Sequence, residues 1–275
     1  MKDLIKRSLT GLAFVAIIIV GAIIHPYLFA TVFTGFLLFT QFEFYKITET
    51  SGFIPNRIVG LISGFLLFII FFLVANKIIS HEFIFAIILI PFISFLAEVF
   101  GKSSTSLKNS LATLAGIIYI ALPFSLLNFI VIQNNSSSSG FYPWILLGIF
   151  FIIWIYDSMA YAVGSLIGKH KISPKISPSK SWEGLIGGGV FAVIMGIFNA
   201  MLFPVLSITN WIIIAALTII FGTCGDFFES KLKRETGVKD SGTLLPGHGG
   251  FLDRFDSILF AVPVIFVWLS LFENI

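Results

Sequence analysis

Two stretches of this sequence concentrate side chains able to bind and stabilise phosphate groups. The first, from Gly168 to Gly184, holds Lys169, Lys171, Lys175 and Lys180 among Ser173, Ser177, Ser179 and Ser181, with Pro174, Pro178 and one acid, Glu183. Proline fixes φ near an extended value and reduces the entropy lost when a ligand orders such a loop. Ammonium and hydroxyl groups then project as donors to phosphate oxygens. A basic loop that only touches anionic head groups would carry the same lysines, but the serine density favours a specific polyphosphate site. In the second stretch, Asp226, Glu229, Ser230 and Lys233 are spaced i, i+3, i+4 and i+7, which places them on one helical face. Arg234, Lys239, Asp240 and the run Gly247-His248-Gly249-Gly250 follow, and then Asp253, Arg254 and Asp256, whose two acids again share a face. Acids at a membrane boundary are costly unless paired or bound to a cation. Hard oxygen donors of this kind suit Mg²⁺, which keeps waters and takes few carboxylates alongside substrate phosphates. The glycines around His248 would let backbone approach a ligand, with His248 itself either a phosphate donor or a turn residue. Asp157, inside an apolar run, is a third candidate acid, whereas Glu98 reads as a boundary residue. Zinc is not expected, because His25, His81, His170 and His248 are scattered and Cys224 has no cysteine partner.

The elements that must position these groups are membrane helices. Of 275 residues 57% are hydrophobic and 11% charged, and the mean hydropathy is +1.02, which excludes a soluble enzyme. The sequence divides into nine apolar spans, which at roughly 20 residues each would use about two-thirds of the chain. Two lie in 8–42, separated at His25-Pro26; others cover 58–76 and 83–97. The uncharged run 109–156 is split into two by the polar linker 134–140. The run 184–225 is split near 204–210, and 257–272 is the ninth. Threaded from a cytoplasmic N-terminus, these spans place sixteen of the 17 Lys and Arg on the inner side, with Lys77 alone outside. The expected fold is therefore all-α and polytopic with an outward C-terminus. Residues 1–144 form a five-span scaffold and candidate dimer surface, and 145–275 form a four-span catalytic region with two cytoplasmic polar loops. The basic tail and first span read as an uncleaved anchor. A net charge of +3 argues against nucleic acid. The tryptophans include candidate interface anchors.

Ser230-x-x-Lys233-Arg234-x-x-x-x-Lys239-Asp240 followed by Pro246-x-His248-Gly249-Gly250-x-x-Asp253-Arg254-x-Asp256 resembles the signature of the phosphatidate cytidylyltransferase, or CDP-diacylglycerol synthase, family. Gly225-Asp226, Lys175-x-Ser177-Pro178-x-Lys180-Ser181-x-Glu183-Gly184 and Asp157-x-x-Ala160-Tyr161 are similar to the family as well. The likeness is strong over the C-terminal half and is mainly one of hydropathy before about Ile145. It implies transfer of cytidylyl from CTP to phosphatidic acid, giving CDP-diacylglycerol and pyrophosphate for phospholipid synthesis in a cell inner or plasma membrane. It also implies a divalent cation, usually Mg²⁺, with a second cation left open, and a homodimer. On that basis Asp226 and Asp253 are the expected metal ligands, with Asp256 and Asp157 behind them or as alternatives. Lys175, Ser177, Ser179, Lys180 and Ser181, with Glu183 in the same motif, would hold the triphosphate. Lys233, Arg234, Lys239 and Arg254 are candidates for the lipid phosphate or the leaving group, and Asp240 and His248 complete the motif.

Two rivals remain at this level. A related CTP-using enzyme acting on an isoprenoid lipid would have similar machinery. A cation transporter using Asp157, Asp226 and Asp253 would need acids spread through the bilayer depth, whereas these cluster near one side. No paired broken helices of the transporter kind recur in the two halves.

Overall fold

A computed structural model describes residues 2–99, 106–135, 138–247 and 249–273. His248 and Lys102 therefore lie outside the described residues, as do two serines of the polar linker. Nine helices run through the described chain: α1 (Lys2–Ile23), α2 (Pro26–Thr50), α3 (Arg57–Ala75), α4 (His81–Val99), α5 (Ser106–Val131), α6 (Trp144–Ile167), α7 (Trp182–Leu202), α8 (Ile208–Glu235) and α9 (Leu252–Phe272). Eight are long and apolar enough to cross a bilayer, and α1 contributes a shorter apolar segment, Ser8–Ile23. The chain is an all-α polytopic membrane protein.

Helix starts follow local chemistry. His25 accepts a hydrogen bond from the Tyr27 amide with Pro26 in the first turn of α2, and Asn56 does the same for Val59 at the head of α3. Ser181 caps α7 through Gly184, and Ser207 caps α8 through Asn210. The first turns of α4 are 3₁₀ (His81–Ile88). Pro91, which has no amide proton to donate back along the helix, lies just beyond that stretch. Both α5 and α8 contain a π turn, at Ile117–Ala121 and Thr218–Gly222, and Pro123 follows the first.

Two expected boundaries shift. Helix α9 begins at Leu252 rather than near Ser257, so Asp253 and Asp256 stand in its first turns instead of in the preceding loop. On either side of the polar linker's undescribed serines, β1 (Ile132–Asn135) pairs antiparallel with β2 (Ser138–Phe141), and the serine-lysine stretch forms a hairpin, β3 (Lys171–Ser173) with β4 (Ser177–Ser181). Strand pairing satisfies backbone donors that an open loop would leave to solvent.

Hydrogen bonds confirm that alternate connections meet at common ends. Thr50 Oγ1 bonds the Thr236 carbonyl, Asn109 Oδ1 receives the Ile54 amide, and Arg234 Nε donates to the Ile176 carbonyl. At the opposite end Trp268 Nε1 donates to Asn210 Oδ1, and Trp144 stacks on Phe203. Between the ends runs an aromatic core in which Phe14, Phe36, Phe124 and Phe251 surround Phe255 of α9 or its neighbours. Polar pairs join helices where lipid offers no hydrophobic drive. Gln41, Tyr45 and the Thr113 carbonyl link α2 to α5, and Ser94 and Ser110 bond reciprocally across α4 and α5. Trp211, counted among the tryptophans that could anchor at the interface, is instead fully buried.

Candidate active site

The serine-lysine hairpin, the end of α6 and the middle of α8 enclose a cavity of about 500 Å³. Its walls include Tyr156, Asp157, Lys171, Ser179, Lys180, Ser181, Thr223 and Asp226. A second cavity, of about 260 Å³, lies on the other side of Asp157 between α1, α6 and α9. There Asp157, Asp253, Arg254 and Asp256 meet apolar walls that include Phe14, Ile18 and Trp154. Asp157 thus borders both spaces.

The helical face inferred for Asp226, Glu229, Ser230 and Lys233 exists, because α8 continues without a break through Glu235. Its acids nonetheless fall into two groups. Asp226 pairs with Lys180 from the hairpin and accepts from Ser230 Oγ at 3.3 Å. Asp157 and Asp256 lie within electrostatic range of Asp226 and of Lys180. Three carboxylates from three helices therefore share the field of this lysine, which also lies 4.8 Å from the Phe227 ring centre.

The second group is closed on itself. Lys233 Nζ lies 2.6 Å from Glu229 and 2.8 Å from Asp253 Oδ1. Asp253 also accepts from the Ser241 amide at 3.0 Å, Ser241 Oγ at 2.9 Å and the Gly250 amide at 2.7 Å. Two carboxylate oxygens offer about four acceptor positions, so protein donors occupy most of what Asp253 can accept. Asp226 and Asp253, expected together as ligands, thus sit in different hydrogen-bond groups. Among the described residues no three His, Cys, Asp or Glu side chains stand in metal-binding geometry. The donors around Asp226 nevertheless fit a cation such as Mg²⁺, which needs only one or two carboxylates with substrate phosphates and water. Those of Asp253 fit poorly as they are now bonded.

Other expected residues separate in the same way. Ser179, Lys180 and Ser181 face the larger cavity, whereas Ser177 is buried and Lys175 is exposed at the hairpin turn. Ser181 additionally caps α7. Glu183 pins the hairpin base, its carboxylate 2.6 Å from His170 Nδ1 and accepting the His170 amide. Arg234 holds the hairpin turn against α8, and Lys239 and Asp240 are exposed on the connection to α9. Arg254 lines the smaller cavity. Of the glycines beside His248, Gly249 does not stand open for a ligand: it has φ +80°, and a Cβ there would come 2.5 Å from Asp253 Oδ2.

Three participants, Tyr156, Thr223 and Glu43, escaped the sequence reading, and Lys171 was read in the basic run without being assigned to the triphosphate. Lys171 lines the larger cavity; Tyr156 and Thr223 bond at 2.6 Å on its wall. Glu43 of α2 reaches the α9 loop, accepting from the Leu252 amide at 3.0 Å. The signal for Glu43 was present, an acid at the edge of an apolar run, but it falls one residue past Phe42, where that run was closed.

Comparison with known proteins adds an independent line. The sequence model of the cytidylyltransferase family matches residues 5–272. The chain is 38% identical over 186 residues to a phosphatidate cytidylyltransferase of Staphylococcus saprophyticus, covering 67% of this chain and 68% of that protein. Against the phosphatidate cytidylyltransferase of Haemophilus influenzae it is 47% identical over 124 residues, 43% of each chain. The Staphylococcus haemolyticus protein of the same name is 38% identical over 187 residues.

Proposed function

The chain belongs to the cytidylyltransferase family, and on that premise we propose that it transfers the cytidylyl group of CTP to phosphatidic acid at the cavity between α6, α7 and α8. The products are CDP-diacylglycerol, which stays in the bilayer, and pyrophosphate. One observation carries this reading: Asp157 and Asp226 border a cavity whose opposite wall is a hairpin carrying Lys171, Lys180, Ser179 and Ser181, with Asp256 within electrostatic range of both acids. Such an arrangement manages phosphate charge in a membrane helix bundle.

A phosphate oxygen of phosphatidic acid attacks the α-phosphorus of CTP, and the bond to the bridging oxygen of the β-phosphate breaks. The attacking oxygen is already anionic at neutral pH, so little is asked of a general base. The difficulty is negative charge gathering on the reacting phosphorus and on the departing pyrophosphate. Lys171 and Lys180 place ammonium groups at the cavity wall, and Ser179 supplies a hydroxyl donor there. Arg254 faces the smaller cavity, whose walls include Phe14, Ile18 and Trp154, which suits it to the lipid phosphate. Asp226, with Asp256 and Asp157, would hold Mg²⁺, which when bound neutralises phosphate charge and orients the reacting groups. Asp253 is assigned to holding the loop before α9. Its hydrogen bonds support that role.

The inner-side excess of Lys and Arg supports a site facing the cytoplasm. There CTP arrives by diffusion while phosphatidic acid keeps its tails in the leaflet. Family resemblance supports a homodimer, and the mass of the detergent-solubilised protein tests it. Purified protein given labelled CTP and phosphatidic acid should form a CDP-lipid, and a chelator should abolish the product. Turnover with an isoprenoid phosphate in place of phosphatidic acid, or cation flux in liposomes without nucleotide turnover, would overturn the assignment.

A further inference from the structure

Glu43 is 2% exposed, within a helix of the half expected to act as scaffold. A carboxylate is rarely held in such a place without a task. Its Oε2 accepts the Leu252 amide at 3.0 Å and Ser241 Oγ at 3.3 Å. Leu252 is the first residue of α9, and Phe251, at the N-cap, provides no side-chain cap. The first amides of a helix need outside acceptors, so Glu43 caps α9 from another helix.

The surrounding backbone is shaped to this carboxylate. A Cβ on Gly242 would fall 2.2 Å from Glu43 Oε1, and one on Gly250 would fall 2.3 Å from Oε2. Both flanks of the loop therefore close on Glu43, and a side chain at either position would displace its carboxylate. Ser241 Oγ also lies 2.9 Å from Asp253 Oδ2. The hydroxyl has one proton and faces two carboxylates, linking them directly. The line continues from Asp253 to Lys233 and Glu229 of α8.

We propose that Glu43 is a positioning residue for the transfer reaction, capping α9 across the bundle and, through Ser241, setting where the Asp253–Asp256 turn stands relative to α8. The inference rests on the reaction assigned above. It gives α2 a part in the chemistry without contact with either substrate.

The test uses the full-length purified protein. Glu43→Gln keeps the shape and one acceptor but removes the charge, Glu43→Ala removes both, and Ser241→Ala cuts the link to Asp253. Glu43→Gln should melt within a few degrees of the parent while kcat falls about tenfold or more and the KM for CTP changes less than about twofold. Glu43→Gln and Ser241→Ala together should lower kcat by less than the product of their separate effects, since both break one link. If Glu43→Ala does not fold, Glu43→Gln carries the test alone. The proposal is overturned if Glu43→Gln turns over within twofold of the parent, if its loss follows loss of folded protein, or if the two effects multiply independently. Failure of the reaction assignment is distinct: the parent itself would then make no CDP-lipid.

Discussion

The acids around Asp226 and those around Lys233 are similar in composition and opposite in state. In the first, Asp157, Asp226 and Asp256 share Lys180 and border the two cavities. In the second, Glu229 and Asp253 close on Lys233, and Ser241 and Gly250 complete the bonding. One group borders the larger cavity, where a ligand can arrive; in the other, Asp253 is fully bonded and Lys233 bridges it to Glu229, holding two helix ends together. Residues from one motif thus divide between binding and framework, and the division follows which side chains surround each acid rather than residue type. Lys233 illustrates the point: expected as a phosphate clamp, it is a mostly buried strut between two helices.

The sharpest test of the contrast is Lys233→Met. Removing the shared cation leaves two buried carboxylates facing each other, which should lower stability by about 3–5 kcal/mol, seen as a large fall in melting temperature and folded yield. A Lys233→Met protein that melts like the parent but has lost turnover would move Lys233 into the binding group. Next comes Asp226→Asn, expected to reduce kcat by about a hundredfold or more, roughly 3 kcal/mol of transition-state stabilisation, with melting hardly changed. Should this variant instead lose stability and keep its rate, the two groups would have been assigned the wrong way round. Lys180→Met should reduce kcat/KM for CTP about tenfold, near 1.4 kcal/mol, since Lys180 supplies one of several positive charges. Arg57→Ala sets the lower limit. The Arg57–Glu49 pair is about one-third exposed on each side, so its loss should change stability by at most about 1 kcal/mol and leave CDP-lipid formation unaltered.

Much of the architecture was legible in the residues. Membrane helices need long apolar runs, and the turn at His25-Pro26, the break near 204–210 and the helical face of α8 all lie where spacing and turn chemistry put them. The start of α9 was misplaced because charged residues at Asp253, Arg254 and Asp256 interrupt the apolar run, although a helix begins as readily with acids in its first turn. The two strand pairs were read as irregular because their strands are short and polar, and nothing in such runs distinguishes pairing from loop.

Composition and spacing alone determined that this is a helical membrane protein with its phosphate-handling chemistry gathered at one side, because burying apolar surface and avoiding unpaired charge act residue by residue. The tertiary structure decided which acids stay available and which are consumed, and it brought Glu43 across more than 200 residues of sequence to the Leu252 amide. Hydrogen-bond saturation depends on who the neighbours are, and neighbours are a property of packing.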